Sequence, residues 1–119
     1  MIYEIRVYQA EDGKAEAMRR RFETQVVPRL PRFGIELLGA FVAPQEDAKL
    51  TYITRFSSED ARKKAWEAFG ADREWLAVKA ASEVGGKLLA SQTVSILVPA
   101  FADALPGLGG ECNPFQKAL

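Results

Sequence analysis

The sequence predicts an α+β fold in which a four-stranded antiparallel sheet carries helices on one face. Three observations predict it. Segments of strand-like composition and of helical period succeed one another in the order strand, helix, strand, strand, helix, strand. The second and third strands are separated by one short turn and pair most simply as a hairpin. The chain has 119 residues, of which 48% are apolar and 27% charged, which suits one compact domain with one core.

Ile2 to Tyr8 reads as the first strand, with Tyr3, Ile5 and Val7 on one face and Ile2, Glu4, Arg6 and Tyr8 on the other. Asp12-Gly13 supplies a turn. From Lys14 the apolar positions Ala15, Met18, Phe22, Val26, Leu30 and Phe33 recur at steps of three or four, the period of an amphipathic helix. Pro28 and Pro31 each remove a backbone donor, so a kink or stop is expected between Val26 and Phe33, with Gly34 as the terminating residue. Ile35 to Val42 and Leu50 to Phe56 form the hairpin around Pro44-Gln45-Glu46-Asp47. Ser57 with Asp60 three residues later predicts the start of a helix carrying Ala61, Ala65, Trp66 and Phe69, interrupted at Gly70. Asp72 is placed to cap a second helix from Arg73 to about Val84, ended by Gly85-Gly86. Leu88 to Val98 is the fourth strand and Pro99 closes it. The order βαββαβ is the ferredoxin-like arrangement. Residues 1–99 form the domain, and 100–119, rich in Pro and Gly, read as a tail with little regular structure.

Composition narrows the chemistry. Sixteen Lys and Arg balance sixteen Asp and Glu, so no cationic field is available for nucleic acid or anionic lipid. The chain contains no histidine, which removes imidazole bases, His-ligated haem and His-based metal sites. A single cysteine, Cys112, makes neither an internal disulfide nor a cysteine-rich metal site, and nothing near it in sequence lowers its pKa. No apolar stretch is long enough for a membrane span. A soluble cytoplasmic protein is expected, without metal or cofactor.

Helices cover only one face of such a sheet, yet the first strand is apolar on both sides, as are the second and fourth. An uncovered apolar face of that size is unusual in a soluble monomer, and a second copy of the chain is the simplest cover. The expectation is a homodimer, a dimeric α+β barrel with an enclosed space between the two sheets. Glu4, Arg6 and Tyr8 are expected to project into that space. The second strand adds either Glu36, Leu38 and Ala40 or Leu37, Gly39 and Phe41. The fourth adds Thr93 and Ser95 if Val94, Ile96 and Val98 face the helices. Glu4 is then a candidate proton acceptor or donor and Arg6 a clamp for a carboxylate or enolate. Tyr8, Phe41, Tyr52, Arg55 and Thr93 are the candidate substrate-binding surroundings. The same polar row also describes an ion-pair network that holds dimer register. Arg19-Arg20-Arg21 is expected mostly on the wet face of its helix, and Trp66 and Trp75 in the core.

Several of these residues carry a family resemblance. Tyr3-Glu4-Ile5-Arg6-Val7-Tyr8, the Asp12-Gly13-Lys14 turn, Pro28, Gly34 and Gly39 belong to it. So do Ala65-Trp66-Glu67-Ala68-Phe69 followed by Asp72-Arg73-Glu74-Trp75, and then Ser82-Glu83. Together they resemble the NIPSNAP family over about residues 1 to 99. Arg73 stands where that pattern often has proline, at the first turn of a helix where the change matters little. The resemblance implies a dimeric barrel of ferredoxin-like subunits, in a superfamily whose members include cofactor-free monooxygenases, isomerases and haem-processing proteins. Two readings of function stay open. One is a small hydrophobic or oxygenated ligand in a cavity at the dimer interface, with cofactor-free proton-transfer or oxygenase-type chemistry. The other is a non-catalytic dimeric protein-interaction module.

Overall fold

Strand β1 (Ile2–Ala10) lies inside a four-stranded antiparallel sheet of order β2-β3-β1-β4, with β2 at Glu36–Ala43, β3 at Glu46–Phe56 and β4 at Leu89–Leu97. The computed structural model describes residues 1–105. The expected tail beyond residue 105, including Cys112, lies outside the described residues. Helices α1 (Ala15–Arg21), α2 (Glu59–Ala71) and α3 (Arg73–Ser82) complete the ferredoxin-like order.

The first helical segment changes pitch twice. α1 gives way to a π-helical turn at Phe22–Val26 and then to a 3₁₀ stretch at Val27–Phe33. Val27 N–H reaches back five residues to the Phe22 carbonyl. Pro28 then falls in the first turn of the 3₁₀ stretch, where its missing donor costs nothing. Gly34 ends the segment with φ 73°, in the left-handed region. A Cβ there would meet nothing within 4 Å, so strain alone opposes a side chain. Gly34→Ala is expected to lower stability by about 1 kcal/mol, read from urea unfolding.

Two helix boundaries differ from the sequence expectation. Ser58, not Ser57, caps α2, its Oγ accepting from Ala61 N–H at 3.1 Å; β3 runs to Phe56 and Ser57 makes the bend between them. Gly70 does not interrupt, because α2 continues through it to Ala71. Asp72 caps α3 as expected, accepting from Trp75 N–H at 2.9 Å.

Strand register decides which residues face the helices, since directly paired residues share a face. Glu4 pairs with Thr54, Arg6 with Tyr52 and Tyr8 with Leu50. Thr54 and Tyr52 have no exposed surface, and the Tyr52 ring packs 4.7 Å from Phe22. The row Glu4, Arg6, Tyr8 therefore faces the helical layer, opposite to the expectation. The open face carries Tyr3 opposite Arg55, Ile5 opposite Ile53 and Val7 opposite Thr51. β4 adds Thr93 and Ser95 to that open face, with Val94 and Ile96 on the helical side. Neither expected set from β2 holds intact. An irregularity between Leu37 and Gly39 shifts the register, so Glu36 pairs with Arg55 while Phe41 pairs with Thr51. The Phe41 ring lies over Gly39, where a Cβ would sit 2.8 Å from it.

The core between the layers holds Met18, Phe22, Leu30, Ile35, Tyr52 and Phe69, all nearly inaccessible. Each buried side chain of this size contributes about 1.5–3 kcal/mol.

Candidate functional site

A carboxylate at the centre of a core must be compensated, and Glu4 is. Its exposure is 0%. Oε1 accepts from Arg6 Nε at 2.8 Å, Thr54 Oγ1 at 2.9 Å and Trp66 Nε1 at 2.9 Å, while Oε2 accepts from Arg62 Nη1 at 2.8 Å and Arg6 Nη2 at 3.3 Å. Burial pushes the carboxyl up, but the Arg6 hydrogen bonds and charge, with Arg62 and Thr54, outweigh it and hold Glu4 below its ordinary value of 4.5. Five donors occupy its lone pairs, so in this arrangement Glu4 is the counter-ion of Arg6 and Arg62. Glu59 completes the cluster by taking Arg62 Nη2 at 2.7 Å.

Beyond Glu4 the helical layer does not close fully on the sheet. A cleft of about 220 Å³ remains, bordered by Arg6 and Tyr8 from β1, Arg21 from α1, Trp66 and Phe69 from α2, and Trp75 from α3. Phe69 is its hub, with ring centroids 5.6 Å from Trp66 and 5.2 Å from Trp75. Each tryptophan carries a guanidinium. Arg6 lies 3.9 Å above the Trp66 ring and Arg21 lies 5.4 Å from that of Trp75, both within cation–π reach. Arg21 is also tied to Ser82 Oγ at 3.0 Å and Glu83 Oε2 at 2.9 Å, and Lys79 stands at the rim. Among the described residues no acid borders the cleft.

Tyr8 provides the floor. Its hydroxyl and that of Tyr52 lie 2.7 Å apart, and burial raises both phenols above their ordinary values. Both stay protonated at neutral pH, so this pair offers a hydrogen-bond donor and no base.

The open face is different in kind. A shallow groove of about 430 Å³ runs over Tyr3, Ile5, Leu38, Phe41, Ile53 and Leu97. Ala104 and Leu105, beyond β4, border it too. On the same face Arg55, opposite Tyr3, makes a bidentate pair with Glu36, Nε to Oε1 at 2.9 Å and Nη2 to Oε2 at 2.6 Å.

The fold thus divides the residues singled out from sequence. Glu4, Arg6, Tyr8 and Tyr52 gather on the helical side, while Phe41, Arg55 and Thr93 lie on the open face. Arg21 was missed: it is only 8% exposed, not on the wet face with Arg20. Its spacing three residues after Met18 was the available signal. Trp66 and Trp75 are partly buried cleft walls and not closed core. Arg62, which no motif marked, holds Glu4 across 58 residues.

The sequence matches the family model named NIPSNAP over residues 3–102. No curated protein matches it significantly. Among solved structures, a NIPSNAP family protein from Agrobacterium tumefaciens is 26% identical, with a TM-score of 0.68, covering 83% of this chain and 92% of that one. An uncharacterized NIPSNAP-like domain protein from Burkholderia xenovorans is 20% identical, with a TM-score of 0.74 and 96% of each chain covered. A putative antibiotic biosynthesis monooxygenase from Nitrosomonas europaea shares the fold at 10% identity and a TM-score of 0.62, over 85% of this chain and all of that one. With the match spanning nearly the whole described domain, the chain belongs to the NIPSNAP family.

Proposed function

We propose that this NIPSNAP-family chain is a cytoplasmic homodimer that binds one small, partly apolar oxygenated molecule per subunit in the cleft between helices and sheet. The observation carrying this reading is the cleft itself, an aromatic enclosure of about 220 Å³ with polar donors and, among the described residues, no acid on its walls. An engineered cavity of about 150 Å³ holds benzene, so single-ring compounds are the right size. Arg6 serves as the clamp and Tyr8 as a neutral donor. Glu4 holds Arg6 and Trp66 in place and moves no proton.

The dimer uses the other face. Phe41 is 59% exposed, and Leu97 and Val98 are also exposed there, an apolar surface that a second copy would cover sheet to sheet. Thr93 and the Arg55–Glu36 pair then belong to the subunit contact and not to the ligand.

Gly70 gives the test. It follows Trp66 by four residues, about one helical turn, on the cleft side of α2, and a Cβ there meets nothing within 4 Å. With phenol, benzyl alcohol and benzoate as probes, at least one should raise Tm saturably in the parent chain. Gly70→Leu should fold and lose that response. A response unchanged in Gly70→Leu, or absent with every probe, contradicts the proposal.

A further inference from the structure

The two guanidinium groups of the cleft are each only half used. Glu4 occupies the Nε–Nη2 edge of Arg6, and Ser82 and Glu83 both take Nη1 of Arg21. Arg6 Nη1 and the Nε and Nη2 groups of Arg21 have no hydrogen-bond partner among the described residues. They are not sealed away either. Arg29 Nε is the buried side-chain donor without a partner among those residues, so the spare donors of Arg6 and Arg21 keep access to open space, and both side chains border the cleft.

Charge points the same way. Arg6, Arg21 and Lys79 border the cleft and, among the described residues, no acid does. Glu4 is shared between Arg6 and Arg62, and Glu83 answers Arg21. Lys79 forms no ion pair among the described residues. Tyr8, on the floor, lies in the field of both Arg6 and Arg21. An anion entering here gains charge-assisted hydrogen bonds without displacing an existing partner.

We infer that the ligand is a small planar carboxylate, a single-ring aromatic or conjugated acid, gripped by the free donors of Arg6 and Arg21 with its ring against Trp66, Phe69 and Trp75. The inference rests on the cleft being the ligand site, as proposed above. A flat monoanion suits guanidinium donors beside aromatic walls. A phosphate group is less suited, because it has no planar apolar part to lie against the aromatic walls. At the starts of α2 and α3, Ser58 and Asp72 accept from Ala61 N–H and Trp75 N–H, and neither capping residue borders the cleft.

Trp66 and Trp75 are the two tryptophans of the chain, so intrinsic fluorescence reports on this cleft. The experiment titrates the unaltered protein with benzoate, phenylacetate and cinnamate, with the amide of each, and with inorganic phosphate. At least one acid should quench saturably and bind about tenfold or more tightly than its amide, a difference of one charge-assisted contact. Arg21→Gln should erase that preference while amide binding stays, and Arg21→Lys should restore part of it. The acid–amide comparison needs no variant, so it stands even if Arg21→Gln fails to fold. Equal binding of acid and amide, or tighter binding of phosphate, overturns the carboxylate and leaves the cleft as a ligand site. No saturable binding by any acid or amide overturns both.

Discussion

Glu4→Gln is expected to lower the unfolding free energy by about 3 kcal/mol, a large part of the stability of a domain this size. The carboxylate has no exposure and faces two guanidinium groups, a hydroxyl and an indole N–H. Glutamine keeps the shape but offers one acceptor oxygen, places an NH₂ among donors, and leaves Arg6 and Arg62 without their shared counter-ion. Urea unfolding should show the midpoint falling by about 1 M or more with little change in slope. The pH dependence carries a second signature. Because the folded carboxyl lies below its ordinary value of 4.5, its contribution is complete above that value and disappears as pH falls through the lower, folded one. The parent should lose stability across that acid window, and Glu4→Gln should lose less there. A variant within about 0.5 kcal/mol of the parent, the range of a surface substitution, would show that the network is not structural.

The second large effect is on assembly. Ile5 stands at the centre of the open face, opposite Ile53 on one side and Ser95 on the other. Around a two-fold axis any charge placed there is duplicated in the contact. Ile5→Glu should raise the dimer dissociation constant by about a thousandfold, since an unpaired buried carboxylate costs several kcal/mol. The monomer should keep its fold, because the open face is not the core. Sedimentation analysis should find twice the chain mass for the parent and the single-chain mass for the variant. A parent that is monomeric, or a variant that dimerises equally well, contradicts the sheet-to-sheet contact.

Most of the fold was legible because its signals are local. The steps from Met18 to Leu30, the two prolines before Gly34, and Asp72 ahead of Trp75 each state their structure within a few residues. The facing of β1 was not. Tyr3, Ile5 and Val7 make an apolar stripe that local patterning sends toward the helices, and Glu4, Arg6 and Tyr8 a polar one that it sends away. What reverses the choice lies 50 to 62 residues on, where Thr54, Arg62 and Trp66 supply the donors that let Glu4 be buried. The β2 irregularity at Leu38 likewise mixes two sets that strict alternation keeps apart. The candidate site was legible in its parts, since Arg6 and Tyr8 do border a cavity. Its location was not, because that depends on Arg21 being drawn inward by Ser82 and Glu83. Those two residues belong to the family resemblance, and holding Arg21 is what they do here.

In the proposed assembly, ligand and partner subunit use opposite faces of one sheet. Amide and indole NMR resonances recorded during a benzoate titration test it directly. The indole N–H signals of Trp66 and Trp75 and the Gly70 amide should shift together along one saturable curve, while Ile5, Ile53 and Thr93 stay still. Shifts confined to Ile5, Ile53 and Thr93, with both indoles unmoved, would place the ligand between the sheets and contradict the account.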